Sequence, residues 1–114
     1  MPIAVQPLTA DIAVAGQLAP DAMAEAAAAG FRSVINNRPD FEGGADQPTS
    51  ASIEAAARAA GLEYEWLPVA PNVHSADEIA RFGELLATLP KPILAFCRSG
   101  ARSTKLFTAA TAPR

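Results

Sequence analysis

The 114-residue chain has a single cysteine and a single histidine. One cysteine cannot build an internal disulfide framework, and one Cys with one His falls short of the usual four-ligand zinc set. Neither a metal nor a cofactor is expected. Long hydrophobic runs are missing as well. No stretch approaches the roughly 18 consecutive apolar residues of a membrane span, and the N-terminal residues carry no positive charge ahead of an apolar run. The expectation is an unprocessed protein with no membrane partner, suited to a reducing cytoplasm. Basic charge is also scarce: nine Lys and Arg face 12 Asp and Glu. The nine are scattered, which leaves no electrostatic footprint for nucleic acid. Half of the residues are hydrophobic, but 27 are Ala and only 25 are Val, Ile, Leu or Phe, so the core should be thin. The length suits one domain over residues 1–114, with one core and one site.

The order of elements can be read from apolar runs and their punctuation. The first ten residues hold two prolines and read as an irregular lead-in or an edge strand. Ile12 to Gly16 is a short apolar run closed by Gly, and Pro20-Asp21 opens an Ala-rich stretch ending at Gly30. That is a strand, a helix and a glycine stop. Ser33 to Asn36 follows as a second buried strand, after which Asn37 to Asp40 and Gly43-Gly44 form a loop. Thr49 to Ala60 reads as a helix with Ser50 or Ser52 near its start and Gly61 at its end. Tyr64 to Leu67 is a strand and Pro68 to Ser75 a proline-containing loop. Ser75 and Glu78 form a capping box before a helix with Ile79, Phe82, Leu85, Leu86 and Leu89 at helical spacing. Pro92 to Phe96 is a strand buried on both faces, and a last helix begins near Arg102 or Ser103. The βαβαβαβα order predicts an α/β fold, a mostly parallel sheet flanked by helices, with ligands bound beyond the carboxyl ends of the strands.

Cys97-Arg98-Ser99-Gly100-Ala101-Arg102-Ser103 lies where the buried strand ends and a helix begins. Successive N–H groups in such a turn, from Ser99, Gly100 and Ala101 onward, can point at one anion, and the helix adds its positive end. The same field lowers a thiol's pKa. With Arg98 and Arg102 nearby, Cys97 should be largely thiolate and nucleophilic. Gly100 lets the loop bend tightly. Arg102 presents paired donors to an oxyanion, and Ser103 is placed to cap the helix or donate a hydrogen bond to the sulfur.

The turn resembles the active loop of rhodanese-type sulfurtransferases, whose pattern Cys-Arg-x-Gly-x-Arg is matched by Cys97, Arg98, Gly100 and Arg102. Most of the chain is similar to the family known as domain of unknown function 442, the phosphatase-like domain of β-lactamase hydrolase-like proteins. Gly16-Gln17-Leu18, Gly30 to Asp40 and the strand into Cys97 carry that similarity. The resemblance implies a protein-tyrosine-phosphatase-like fold, Cys97 and Arg102 as catalytic residues, and a domain found alone or joined to a persulfide dioxygenase.

Two chemistries are open to such a loop. Tyrosine and dual-specificity phosphatases resemble one another in having five residues between Cys and Arg, whereas four separate Cys97 from Arg102 here. They also need a carboxylic acid to protonate the leaving alkoxide, and the expected loop, Val69 to Ser75, has no carboxylate before Asp77. Both observations favour a sulfurtransferase: Cys97 takes sulfane sulfur from thiosulfate or glutathione persulfide and passes it from a persulfide to a thiol or other nucleophile. Arg98 would bind the donor's anionic part, and a persulfide dioxygenase or another sulfide-oxidising enzyme is the expected partner. The alternatives are a phosphatase acting through a phosphocysteine and a redox-sensing module that uses Cys97 as a switch.

Other residues carry weaker signals. His74 is placed to contact substrate or to stand as a solvated loop side chain. Arg38 is set to reach the pocket edge or to pair with Asp40 or Glu42. Asp40 is the best remaining general acid, though its loop follows the wrong strand. The helical set around Phe82 reads as core packing and Trp66 as strand packing.

Overall fold

The computed structural model describes residues 3–113. A two-residue edge strand β1 (Gln6–Pro7) precedes β2 (Ile12–Ala15), α1 (Ala22–Ala28), β3 (Ser33–Asn36), α2 (Ser50–Ala59), β4 (Glu63–Trp66), α3 (Ala76–Thr88), β5 (Ile93–Phe96) and α4 (Ala101–Thr111). The five strands form one sheet in the order β1-β2-β5-β3-β4. All pairs are parallel except β1 with β2. The expected α/β architecture is therefore present, and the proline-bearing lead-in supplies the edge strand from the described part of its ten residues.

The middle strands have both faces covered; β2 and β5 are apolar throughout, and β3 is polar only at its ends, Ser33 and Asn36. All four residues of β2, β3 and β5 are buried. Successive side chains alternate between faces, so the expected single core is split by the sheet into two layers. On one face Ala13, Val34, Leu94 and Phe96 pack with Met23 and Ala26 of α1 and with Ile53 and Ala57 of α2. On the other, Ile12, Val14, Ile35, Ile93 and Ala95 meet Phe82 and Leu85 of α3 and Leu106 of α4. The alanine surplus serves the first layer, where small side chains let α1 and α2 lie close to the sheet. Phe82, Ile53, Leu94 and Leu106 are wholly buried. Each contributes about 1.5–3 kcal/mol over the exposed state.

Helix ends follow local chemistry. Thr49, rather than Ser50 or Ser52, caps α2: its hydroxyl accepts from the Ser52 N–H at 3.2 Å. The Ser75–Glu78 capping box is present in both directions, at 3.1 and 2.8 Å. Trp66 belongs to a strand, as expected. It lies on the edge strand β4 and is 42% exposed. Its indole N–H donates to the Arg38 carbonyl at 2.9 Å, so it pins the loop after β3.

Candidate active site

Parallel register decides where the loops emerge. Asn36 stands beside Phe96 and Trp66, and Ala15 beside Phe96. Gly16, Asn37, Leu67 and Cys97 therefore leave the sheet at one edge, the carboxyl end of four parallel strands. Hydrogen bonding continues beyond the strands: the Asn37 N–H donates to Phe96 O at 2.8 Å and the Val69 N–H to Asn37 O at 3.1 Å. Four chain segments converge around the turn that starts at Cys97.

Gly100 sits at φ +92° as the N-cap of α4. A Cβ there would lie 3.3 Å from the Ala15 carbonyl oxygen. Both conformation and space thus call for glycine. The bend brings the Gly100 N–H to 3.1 Å from Cys97 Sγ. Burial of Cys97 by itself raises its pKa, but hydrogen bonds from the backbone N–H groups of Ser103, Ser99, Arg102 and Gly100 outweigh that and hold it below its ordinary value. The largest lowering contributions come from main-chain amides, where the sequence also pointed to the positive charge of Arg98 and Arg102. The residue is 1% exposed, so the sulfur lies beneath the loop with its ionised form favoured.

Arg102 is buried, and its guanidinium interacts with the Cys97 thiolate. Its fork is also paired with Glu42: Nη1 donates to Oε2 at 2.8 Å and Nη2 to Oε1 at 2.7 Å. Nη1 also donates to Val69 O at 3.2 Å. Arg38 supports the same carboxylate, its Nε donating to Glu42 Oε1 at 2.9 Å and its Nη1 to Gln17 Oε1 at 3.0 Å. The hydrogen bond from Arg102, then that from Arg38, outweigh burial and lower the Glu42 pKa to about 2. Bidentate pairing with Glu42 likewise raises the pKa of Arg102. A cavity of about 520 Å³ opens over this cluster, lined by Arg38, Glu42, Gly43, Pro71, Arg98 and Arg102.

The structure brings Arg38, Arg98 and Arg102 to one cavity wall with Cys97 buried beneath the loop, whereas Ser99, Gly100 and Ala101 line a separate depression beside β1 and β2. Arg98 is exposed on the cavity wall, and among the described residues its guanidinium has no hydrogen bond or ion pair. Ser99 accepts from the Ala101 N–H at 3.4 Å, and α4 starts at Ala101, one residue before the expected position. Ser103 is a correction: its hydroxyl neither caps the helix nor reaches the sulfur. It donates to Asn37 Oδ1 at 2.9 Å, and the backbone N–H of Ser103 faces the thiol instead. Arg38 chooses Glu42 over Asp40. Asp40 Oδ1 accepts from the Ser50 N–H at 2.7 Å, which commits it to the start of α2 and takes it out of contention as a general acid. His74 is half-buried and within 3.2 Å of Ala70 O. It does not line the cavity.

Sequence reasoning missed Asn37 and the role of Glu42. Asn37 is wholly buried, and besides accepting from Ser103 it donates to Leu67 O at 3.0 Å. Two asparagines closing an apolar strand were a usable signal, since buried amides are kept where their hydrogen bonds are met. Glu42 lies 60 residues from Arg102, and no spacing rule joins them.

Residues 4–113 match the family described as β-lactamase hydrolase-like protein, phosphatase-like domain. The chain belongs to this family. A curated β-lactamase hydrolase-like protein from Xylella fastidiosa is 38% identical over 96 residues, covering 84% of this chain and 22% of that protein. The chain thus spans about a fifth of the length of that relative. Among solved structures, a candidate phosphatase from Neisseria meningitidis has a TM-score of 0.82 at 28% identity, over 90% of this chain and 72% of that one. A candidate phosphatase of the domain-of-unknown-function-442 type from Shewanella putrefaciens gives 0.78 at 20% identity, over 96% and 68%. The fold extends to Tk-PTP, with a TM-score of 0.65 at 16% identity, over 93% and 77%. The fold is phosphatase-like. These names support the phosphatase alternative better than sulfur transfer, of which none of them speaks.

Proposed function

We propose that the chain is a cysteine-dependent phosphatase in which the Cys97 thiolate attacks phosphorus and carries the phosphoryl group as a phosphocysteine. One observation carries the reading: the Gly100 N–H lies 3.1 Å from a single buried sulfur whose ionised form the loop amides favour, beside the Arg102 guanidinium, in a fold shared with candidate phosphatases. Amides directed at a developing oxyanion stabilise the transition state without reorganising. Arg102, held rigid by Glu42, presents its remaining N–H bonds to the same oxygens. Water then hydrolyses the phosphocysteine and releases phosphate.

Among the described residues the site has no positioned proton donor for the leaving group. Glu42 is held ionised by two arginines and Asp40 is engaged at α2. Esters that need little acid assistance are therefore the better substrates, with aryl phosphates ahead of alkyl phosphates.

Two specific observations support sulfur transfer as the second reading. Only four residues separate Cys97 from Arg102, and sulfite or a thiolate leaves without a proton. In that chemistry Cys97 attacks the outer sulfur of thiosulfate or glutathione persulfide, the S–S bond breaks, and a thiol acceptor takes the sulfur. A persulfide dioxygenase domain would be the natural partner. Incubating the protein with an aryl phosphate and, separately, with glutathione persulfide, then weighing Cys97 by mass spectrometry, tests both. Phosphate release that is lost in Cys97→Ser is expected. Added sulfur on Cys97 with no phosphate release overturns the first reading in favour of the second.

A further inference from the structure

The cavity beside Cys97 has an unusual charge count for a phosphoryl site. Three guanidiniums, of Arg38, Arg98 and Arg102, face it. Against them stand the Glu42 carboxylate, hydrogen-bonded to two of the three at 2.7–2.9 Å, and the Cys97 thiolate. One positive charge is left over, together with the fractional charge of the α4 N-terminus and the loop amides. The other nearby acid, Asp40, is turned to the start of α2. Glu42 is no surface decoration that substrate can ignore, since its two oxygens fill both ends of the Arg102 fork. Its side chain is only 24% exposed.

We infer that Glu42 sets the charge of the ligand this site accepts, making it selective for singly charged anions over doubly charged ones. This rests on the reading of Cys97 as an ionised nucleophile. A monoanion cancels the one whole charge left over, whereas a dianion adds a further negative charge beside a carboxylate and a thiolate, against only the fractional charge of the helix end and amides. The inference also accounts for the missing acid. A phosphate monoester in its monoanionic form carries a proton on the phosphoryl group. As Cys97 Sγ bonds to phosphorus and the ester P–O bond breaks, that proton moves to the departing oxygen. The products are a neutral alcohol or phenol and a dianionic phosphocysteine, so charge and protons balance with no donor from the protein. Loop amides and Arg98 then hold the new dianion until water arrives.

Calorimetric titration of the intact chain with benzenesulfonate, a monoanion, and phenylphosphonate, a dianion above both of its pKa values, tests this at one pH. The wild type is expected to bind the sulfonate at least as tightly as the phosphonate. Glu42→Gln keeps the side chain's size and removes its charge. It should improve phosphonate binding about tenfold more than sulfonate binding, the order expected for one charge several ångströms away in a partly solvated site. Cys97→Ser removes the other negative charge and should shift the preference in the same direction. Wild-type preference for the phosphonate by tenfold or more overturns the inference without any variant. If Cys97→Ser moves the preference and Glu42→Gln does not, the inference alone fails. If Cys97→Ser leaves it unmoved, the thiolate itself is in error and the proposed function falls with it.

Discussion

Replacing Gly100 with Ala tests how the fold prepares the thiol. The backbone at Gly100 lies at φ +92°, and a left-handed conformation costs an L-residue about 1–2 kcal/mol. The added Cβ would also stand 3.3 Å from the Ala15 oxygen and 3.5 Å from its carbon. Both are backbone atoms of a buried strand, so the loop has to move rather than the strand. Movement withdraws the Gly100 N–H from Cys97 Sγ, now 3.1 Å away. A hydrogen bond to a charged group contributes about 1.5–3 kcal/mol, and one pKa unit corresponds to about 1.4 kcal/mol. Partial loss should therefore raise the Cys97 pKa toward its ordinary value, while strain lowers Tm by about 5–10 °C. Because the chain has one cysteine, the ultraviolet absorbance of the thiolate followed against pH, with Cys97→Ser as baseline, reports this group alone. A lower Tm with an unmoved thiolate midpoint would refute the claim that the loop amides keep the sulfur ionised.

Further expectations concern the groups around that sulfur. Arg102→Lys loses the paired donors that match both Glu42 oxygens, and kcat/KM should fall about 100-fold or more. A loss under tenfold would show that the fork is dispensable. Asn37→Ala strips the buried Ser103 hydroxyl and the Leu67 carbonyl of their partner, so unfolding should become easier by about 2–4 kcal/mol, read from denaturant midpoints at constant slope. Glu42 ionises more readily in the folded chain, at about 2 against an ordinary 4.5. Its contribution to stability is thus complete above about pH 4.5 and drains away as the pH falls toward 2. Glu42→Gln should flatten that part of an acid unfolding curve, and an unchanged acid limb would contradict the pairing. Catalysis needs the Cys97 thiolate together with a monoanionic ester, so kcat/KM should rise with pH as Cys97 ionises and fall again as the ester loses its second proton.

Fold class and the place of Cys97 between a strand and a helix were both readable from order along the chain. Apolar runs of four or five residues alternating with helical patterns imply a parallel sheet, since each crossover must return the chain to the same edge. Cys97 at the end of the run Ile93 to Phe96 then has to emerge at the carboxyl edge, where Gly100 and Arg102 follow it into α4. The helix ends were legible to within a residue or two because caps act locally, as Ser75 and Glu78 illustrate. The exposure of Trp66 was not legible because strand patterning says which residues are apolar but not which strand lies at the edge. That depends on the order β5-β3-β4.

What the sequence determined by itself, then, was a sulfur at the mouth of a helix with amides and an arginine within a few residues of it. These are interactions of short range, and short-range geometry follows from short-range sequence. Only the tertiary structure decided how much charge surrounds that sulfur. Glu42 reaches Arg102 across 60 residues, Asn37 takes the Ser103 hydroxyl that could have turned to the thiol, and Asp40 is drawn away to α2. Each choice depends on which loops the parallel register gathers at one edge of the sheet, and side chains compete for partners only once folding has brought them together.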